Sequence, residues 1–342
     1  VLSRIAESLF WTGRYVERAD DIARILDVHL HHLLEDPTVE ESTACSALLA
    51  AMGVAVGDTV PDAASVTEKL AFDDTNPSSI VSSLVAARAN ARGISEVMSS
   101  EMWEALNVTY NALGWQVQLG RQEGPHGFFG FVRERAALLA GLADSTMCKD
   151  DAWRFLVLGR SLERVDMLAR LLSTEVADDP ANVDWVTLLR SCSGHEAFLR
   201  TYRREPEPGP ALEFLLREPL FPRSILCALL TAEDCLRELD PGRQPPGTHD
   251  EARRLVAEAR THLEFRPVDD MLHELFVPLA AVQAGVSRAT DSLATRYFRQ
   301  TKAIEWHVDQ VETPNGPDET SSVTPGDGAA PLSTRPGSRA QL

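Results

Sequence analysis

Lysine is nearly missing from this chain of 342 residues, occurring only at Lys69, Lys149 and Lys302. The other basic side chains are arginines, and 33 Lys+Arg stand against 51 Asp+Glu, for a net charge of -18. A chain this acidic repels a phosphate backbone on average, which excludes general nucleic-acid binding. A local arginine-lined pocket for a carboxylate or phosphate is still compatible with it, because guanidinium offers a planar fork of donors. Aromatic residues make up only 6% of the chain and β-branched runs seldom alternate, so an all-β fold is disfavoured. The five cysteines form no CxxC and no dense framework, a usage that fits reduced, mostly buried thiols. The apolar-rich stretch from Leu275 to Val286 is too short to span a bilayer. Val1-Leu2-Ser3-Arg4 runs into a charged amphipathic segment and not a secretory signal. The expectation is a cytoplasmic chain with no membrane span.

Motifs for common chemistries are also missing. There is no GxxxxGK[ST] and no GxGxxG, so neither a nucleotide nor a dinucleotide site is signalled. His195-Glu196 lacks an HExxH partner, since position 199 is Leu199. His29, His31 and His32 cluster near the end of the first helix, but no acidic spacing there suggests a metal geometry. Glu258/His262 and Glu305/His307 do not match the Glu-x-x-His of carboxylate-bridged bundles. Cys192-Ser193-Gly194-His195 brings a thiol and an imidazole together without an orienting third group, and reads as an inert buried thiol. No metal and no cofactor is expected.

Alanine and leucine with helical periodicity dominate what remains. A first long helix is expected from about Ser3 to Leu34, stopped by Asp36-Pro37. On its wheel Leu9, Trp11, Tyr15, Val16, Ala19, Ile22 and Leu26 share one face, and Arg14, Glu17, Asp20, Asp21 and Arg24 the other. Further helices are expected over 48–56, from Ile80, over 102–117, 128–142, from Asp150 to Leu172, over 225–239, 250–263 and 269–297. Gly120 to Gly130 reads as a loop pinned by Phe128 and Phe129, and 206–210 as a tight connector. The fold class is therefore all-α. A disordered tail is expected over 312–342, where the composition cannot build a core.

The strongest signal is internal. GRYVERADDIARIL at 13–26 and GRSLERVDMLARLL at 159–172 share Gly13/Gly159, Arg14/Arg160, Glu17/Glu163, Arg18/Arg164, Asp20/Asp166, Ala23/Ala169, Arg24/Arg170 and Leu26/Leu172. NPSSI at 76–80 echoes FPRSI at 221–225 at nearly the same offset. Two such matches indicate a duplicated helical bundle whose pseudo-symmetric halves span 1–145 and 146–311. Residues three and four apart share a helix surface, so Arg14, Glu17, Asp21, Asp20 and Arg24 gather on one side. Met167 stands where the first copy has Asp21. A mid-helix glycine costs roughly 1 kcal/mol relative to alanine. Its recurrence at Gly13 and Gly159 implies a close approach to the backbone. Either the Arg and Glu residues pair across a junction between the halves, or their facing arcs line a cleft for an anionic or zwitterionic ligand. Arg88 and Arg92, four apart, with Glu101 nearby, would extend that polar region.

The stretches SRIAESLFWTGRYVERADDIARILDVHL (3–30), NPSSI (76–80), ARANARGISEVMSSEMWEALN (87–107) and DSTMCKDDAWRFLVLGRSLERVD (144–166) resemble the bacterial alpha-E domain family. Its Glu-Arg motif corresponds to Glu17-Arg18 and Glu163-Arg164, and the likeness spans most of residues 1–310. Arg88-Ala89-Asn90 departs from the Arg-Glu-Asn of the family by one carboxylate. The resemblance implies an all-helical fold and, as partners, a circularly permuted ATP-grasp protein and a transglutaminase-like protein. It also implies a setting of peptide or amide synthesis or modification. It brings forward Arg14, Arg160, Asn90, Arg92 and Glu101 with the Glu-Arg pairs as candidate site residues. The leading expectation is an accessory helical protein in such a system. The alternatives are an enzyme transferring an aminoacyl or amide group between the halves, and a purely structural interaction scaffold. The oligomeric state is left open.

Overall fold

In the computed structural model, residues 2–56, 59–176, 183–240, 250–273 and 275–298 are described. The first half supplies α1 (Ser3–Glu35), α2 (Glu41–Ala51), α3 (Ala63–Thr67), α4 (Ile80–Arg92), α5 (Ser100–Glu123) and α6 (His126–Thr146). The second supplies α7 (Asp151–Glu175), α8 (Trp185–Ser191), α9 (His195–Tyr202), α10 (Pro208–Arg217), α11 (Ile225–Leu239), α12 (Glu251–Glu264), α13 (Val268–His273) and α14 (Phe276–Tyr297). A π-helical turn over Glu68–Phe72 continues α3, and a 3-10 turn over Ser95–Val97 precedes α5. No strand occurs among the described residues, so the chain is all-α.

The packing repeats as the sequence does. α1 packs on α4, α4 on α5, α5 on α6, and α6 back on α1. In the second half α7 packs on α11, α11 on α12, α12 on α14, and α14 back on α7. The echo NPSSI/FPRSI caps equivalent helices: Ser79 accepts from the Ser82 N–H at the start of α4, and Ser224 from the Cys227 N–H at the start of α11. The two four-helix sets meet where α1 crosses α7. The halves also exchange an element, since α2 packs on α7 while α8 packs on α1.

This central position changes the reading of α1. Its charged side is not a solvent face: Arg14, Glu17, Asp20 and Asp21 are all buried, while Trp11, Tyr15 and Val16 on the apolar side are only partly covered. Packing against helices on several sides removes the polar surface of an ordinary amphipathic helix.

Several boundaries also differ from expectation. Residues 120–130 are not a loop: α5 runs to Glu123 and α6 begins at His126. Only Gly124, at φ 102°, and Pro125 turn the chain, while Phe128 and Phe129 are core residues of α6. The second helix starts at Glu41 and is ended by Gly53, whose φ of 68° is left-handed. Pro208 lies in the first turn of α10, where a missing N–H costs nothing, so 206–210 is partly helix. The single helix expected over 269–297 is two, with Pro278 in the first turn of α14. The tail expected over 312–342 lies outside the described residues, as does the end of the second half beyond residue 298.

Candidate functional site

The crossing of α1 and α7 is closer than side chains permit. A Cβ on Gly13 would lie 2.1 Å from the main-chain oxygen of Leu156, and one on Gly159 would lie 2.0 Å from that of Phe10. The relation is reciprocal, because Phe10 and Leu156 each precede their own glycine by three residues. What approaches each glycine is thus the backbone of the other repeat helix.

That contact brings the charged residues within reach of each other. Glu163, fully buried, accepts from Arg14 Nε at 2.6 Å and from Arg18 Nε at 2.5 Å. Across the pseudo-twofold, Glu17 accepts from Arg164 Nε at 2.6 Å. Each Glu-Arg pair therefore bonds to the other copy's pair. Burial pushes the Glu163 carboxyl up, but Arg14 and Arg18 outweigh it and hold it below the usual carboxylate range. Glu17 is likewise held low by Arg164 and Arg223 against the effect of burial. Within their own helices Arg24 pairs with Asp20 at 3.0 Å and Arg170 with Asp166 at 2.9 Å.

The symmetry then breaks at one place. Arg223 sits in the FPRSI echo where the first half has Ser78, and it reaches Asp20, Asp21 and, at 3.4 Å, Glu17. Met167 stands opposite Asp21 in the repeat, so the cation and its extra carboxylate appear together on one side only. Burial pushes the Asp21 carboxyl above its usual range, Glu17 reinforces this, and Arg223 opposes it. The folded state thus holds the Asp21 proton more tightly than the unfolded chain does. The stabilising contribution of this group is present at acid pH and falls as pH rises through its raised pKa. Glu17 behaves oppositely, and its contribution is lost as pH falls below the usual carboxylate range.

Arg160 does not repeat the bonding of its counterpart. Its counterpart Arg14 bonds Glu163, and its Nη1 donates to Thr290 Oγ1 at 3.2 Å. Arg160 donates no hydrogen bond and has no carboxylate within 4.0 Å among the described residues. Burial lowers its pKa, and Glu17 opposes this only from a distance. It borders a cavity of about 170 Å³ with Gly13, Glu17, Arg164 and Arg223, closed on the other side by Met102 of α5 and by Ala136, Ala140 and Ala143 of α6. Asp20, on the same wall, leaves its Oδ1 buried without a donor. The cavity wall thus carries a half-buried guanidinium without a protein acceptor among the described residues and, beside it, a carboxylate with one buried oxygen that lacks a donor. The buried oxygen is costly unless something supplies its missing partner.

Of the residues singled out from sequence, Arg14, Glu17, Arg18, Glu163 and Arg164 form the clasp. Asp20, Arg24, Asp166, Arg170 and Arg160 flank it. Asn90, Arg92 and Glu101 stand apart. Asn90 donates to the Ala86 carbonyl of its own helix, and Arg92 and Glu101 are exposed. Arg88 does not turn toward Arg92; its guanidinium lies 4.8 Å from the Tyr110 ring centroid and 5.7 Å from that of Trp103. Arg223 was missed by the sequence reading, although a departure of the echo from symmetry at the same step as Asp21/Met167 could have signalled it. Cys192 is buried, and that burial raises its thiol to about 12, unsuited to nucleophilic attack at neutral pH.

No helix among the described residues is long and apolar enough to cross a membrane. A family model described as a predicted alpha-helical domain with a conserved ER motif matches residues 1–298. An uncharacterized protein of Mycobacterium bovis and one of Mycobacterium tuberculosis CDC 1551 are each 26% identical to the chain over 345 residues. An uncharacterized protein of Mycobacterium tuberculosis H37Rv is 25% identical over the same length. In each case 90% of this chain is covered but 38% of the relative, so the chain spans well under half the length of these curated relatives. No solved structure matches. With the family model covering residues 1–298 and a Glu-Arg pair from each half at the crossing, the chain belongs to the Alpha-E family.

Proposed function

We propose that this chain is an accessory, non-catalytic binding protein that holds a small carboxylate bearing an N–H donor, such as an amino acid or a peptide end. It would present that ligand to an ATP-grasp-type partner forming or modifying an amide. The observation that carries the reading is the pairing of unmet needs in one cavity, the Arg160 guanidinium and Asp20 Oδ1. A guanidinium suits a carboxylate, a buried carboxylate oxygen suits an amine or amide N–H, and the alanine-rich wall suits a short aliphatic group. The groups around this cavity are poorly placed for acid–base or nucleophilic work. Glu17 is held ionised by two arginines, and among the described residues neither a cysteine nor a histidine lines the cavity. This favours the accessory reading over an enzyme transferring an aminoacyl group. The ATP-grasp partnership rests on the family resemblance.

The test is titration of the purified chain with L-alanine, propionate and L-alaninamide, followed by NMR. Alanine is expected to bind more tightly than propionate, which lacks the N–H, and alaninamide, which lacks the carboxylate, is expected not to bind. Arg160→Met should weaken alanine binding at least ~10-fold, as loss of a charge-assisted contact does. Its melting temperature should hold, since Arg160 has no partner to lose. Equal binding of alanine and alaninamide, or native affinity in Arg160→Met, would contradict the reading. The partnership is tested by co-purification from the source cells: recovery of an ATP-grasp protein supports it, and its absence from an intact preparation counts against it.

A further inference from the structure

We infer that Asp27, His31 and His126 form a binding site for a first-row divalent transition ion, with zinc the best fit. This site lies away from the charged clasp, at the turn joining α5 to α6. Asp27 and His31 are four apart on α1 and share a face, and His126 opens α6 beside them. Each of the three offers a ligand atom within 4.8 Å of the other two. The imidazole rings of His31 and His126 lie 3.9 Å apart between centroids, converging on one carboxylate. His126 Nδ1 stands 2.7 Å from Asp27 Oδ1. Two ligand atoms each ~2.1 Å from one ion are separated by roughly 3.0–3.4 Å in octahedral or tetrahedral geometry, so His126 Nδ1 and Asp27 Oδ1 need part by only a few tenths of an ångström to admit one.

The surrounding bonds favour ligation over simple pairing. His31 Nδ1 lies 2.7 Å from the Asp27 main-chain oxygen, an atom that only accepts, so this nitrogen carries the hydrogen and Nε2 carries the lone pair. That is the outer bond that fixes the ring of a metal-binding histidine. Arg133 Nη1 donates to Asp27 Oδ2 at 2.7 Å, which orients the carboxylate and leaves Oδ1 toward the imidazoles. His31 is half exposed and free to close the remaining gap. Two imidazoles with one carboxylate select borderline ions over magnesium or calcium. On binding, His126 gives up its Nδ1 hydrogen to solvent as a proton and takes the ion in its place. Three protein ligands leave a coordination position for water or substrate, as in open zinc sites. His126 also lines a cavity of about 600 Å³ whose other walls include Leu30, Phe72 and Arg121. The second carboxylate group in the molecule, Glu17 with Asp20 and Asp21, is not comparable, because guanidinium groups fill the space among its oxygens.

The test uses the full chain freed of metal by chelation, titrated with Zn2+ by calorimetry and with Co2+ by visible absorption. One equivalent is expected to bind, with the Co2+ band showing nitrogen and oxygen ligands. Asp27→Asn, His31→Gln and His126→Gln should each weaken binding at least ~10-fold, and His262→Gln should not. His31 is on the surface of α1, so its variant keeps the fold intact, as circular dichroism would verify. Failure of the native chain to bind either ion, or native affinity in the folded His31→Gln variant, would overturn the inference.

Discussion

Placing an alanine at Gly13 or Gly159 is expected to destabilise the protein by about 3 kcal/mol or more, the upper range for overpacking. The added carbon would fall 2.0–2.1 Å from a main-chain oxygen of the partner helix, and neither backbone can give way without separating α1 from α7. Side-chain adjustment, which absorbs most small-to-large changes, is not available when the obstacle is a carbonyl. The sign is informative, because glycine to alanine in a helix interior ordinarily stabilises by roughly 0.5–1 kcal/mol. Gly114, within α5 with nothing near its missing side chain, supplies the control and should show that ordinary gain. Urea unfolding of the three variants decides the matter. Native stability in Gly13→Ala would mean the helices do not cross at this distance.

Removal of the Glu163 carboxylate is expected to cost about 3–5 kcal/mol, the range for breaking a buried ion pair from one side. Glu163→Ala removes the buried carboxylate that accepts from the Nε of both Arg14 and Arg18, and leaves Arg14 only its Thr290 bond and a 4.0 Å approach to Asp166. An exposed pair gives the contrast. Glu68 and Arg121 bond near the surface, both about half exposed, and Glu68→Ala should cost no more than ~1 kcal/mol. The same denaturation experiment measures both. A Glu163→Ala loss as small as that of Glu68→Ala would show that the Glu-Arg motif does not clasp the halves.

The helical class, the repeat and the residues of the clasp were legible in the sequence because they depend on local spacing and on identity at a constant offset. Glycine recurring at 13 and 159 indicated a close approach, and the charged residues beside it indicated what meets there. Other features depended on distant neighbours. The wheel of α1 separates Trp11 from Glu17 correctly, yet no periodicity says that the charged side will be covered by a second copy. Arg223 lies 202 residues from the Asp21 it bonds. The triad of Asp27, His31 and His126 escaped the spacing argument although Asp27 stands four residues before His31, because the third member arrives only when Gly124 and Pro125 fold α6 back against α1. Asn90, Arg92 and Glu101 show the opposite error, since closeness in sequence to a polar run did not bring them to the crossing.

Asp21 with Arg223, opposite Met167 with Ser78, is the departure from symmetry beside the cavity that Arg160 borders without a partner. The double variant Asp21→Met/Arg223→Ser would copy the other half of the molecule onto this one. Both partners of the buried pair leave together, so the fold should survive, and Asp20 keeps Arg24 as Asp166 keeps Arg170. Arg160 is then expected to bond Glu17 as Arg14 bonds Glu163, closing the site. Titration of this double variant with L-alanine, beside the native chain, is the decisive measurement. Loss of binding by at least ~10-fold in a folded protein is the expected result. Undiminished binding would contradict the idea that broken symmetry between the two repeat helices creates the site.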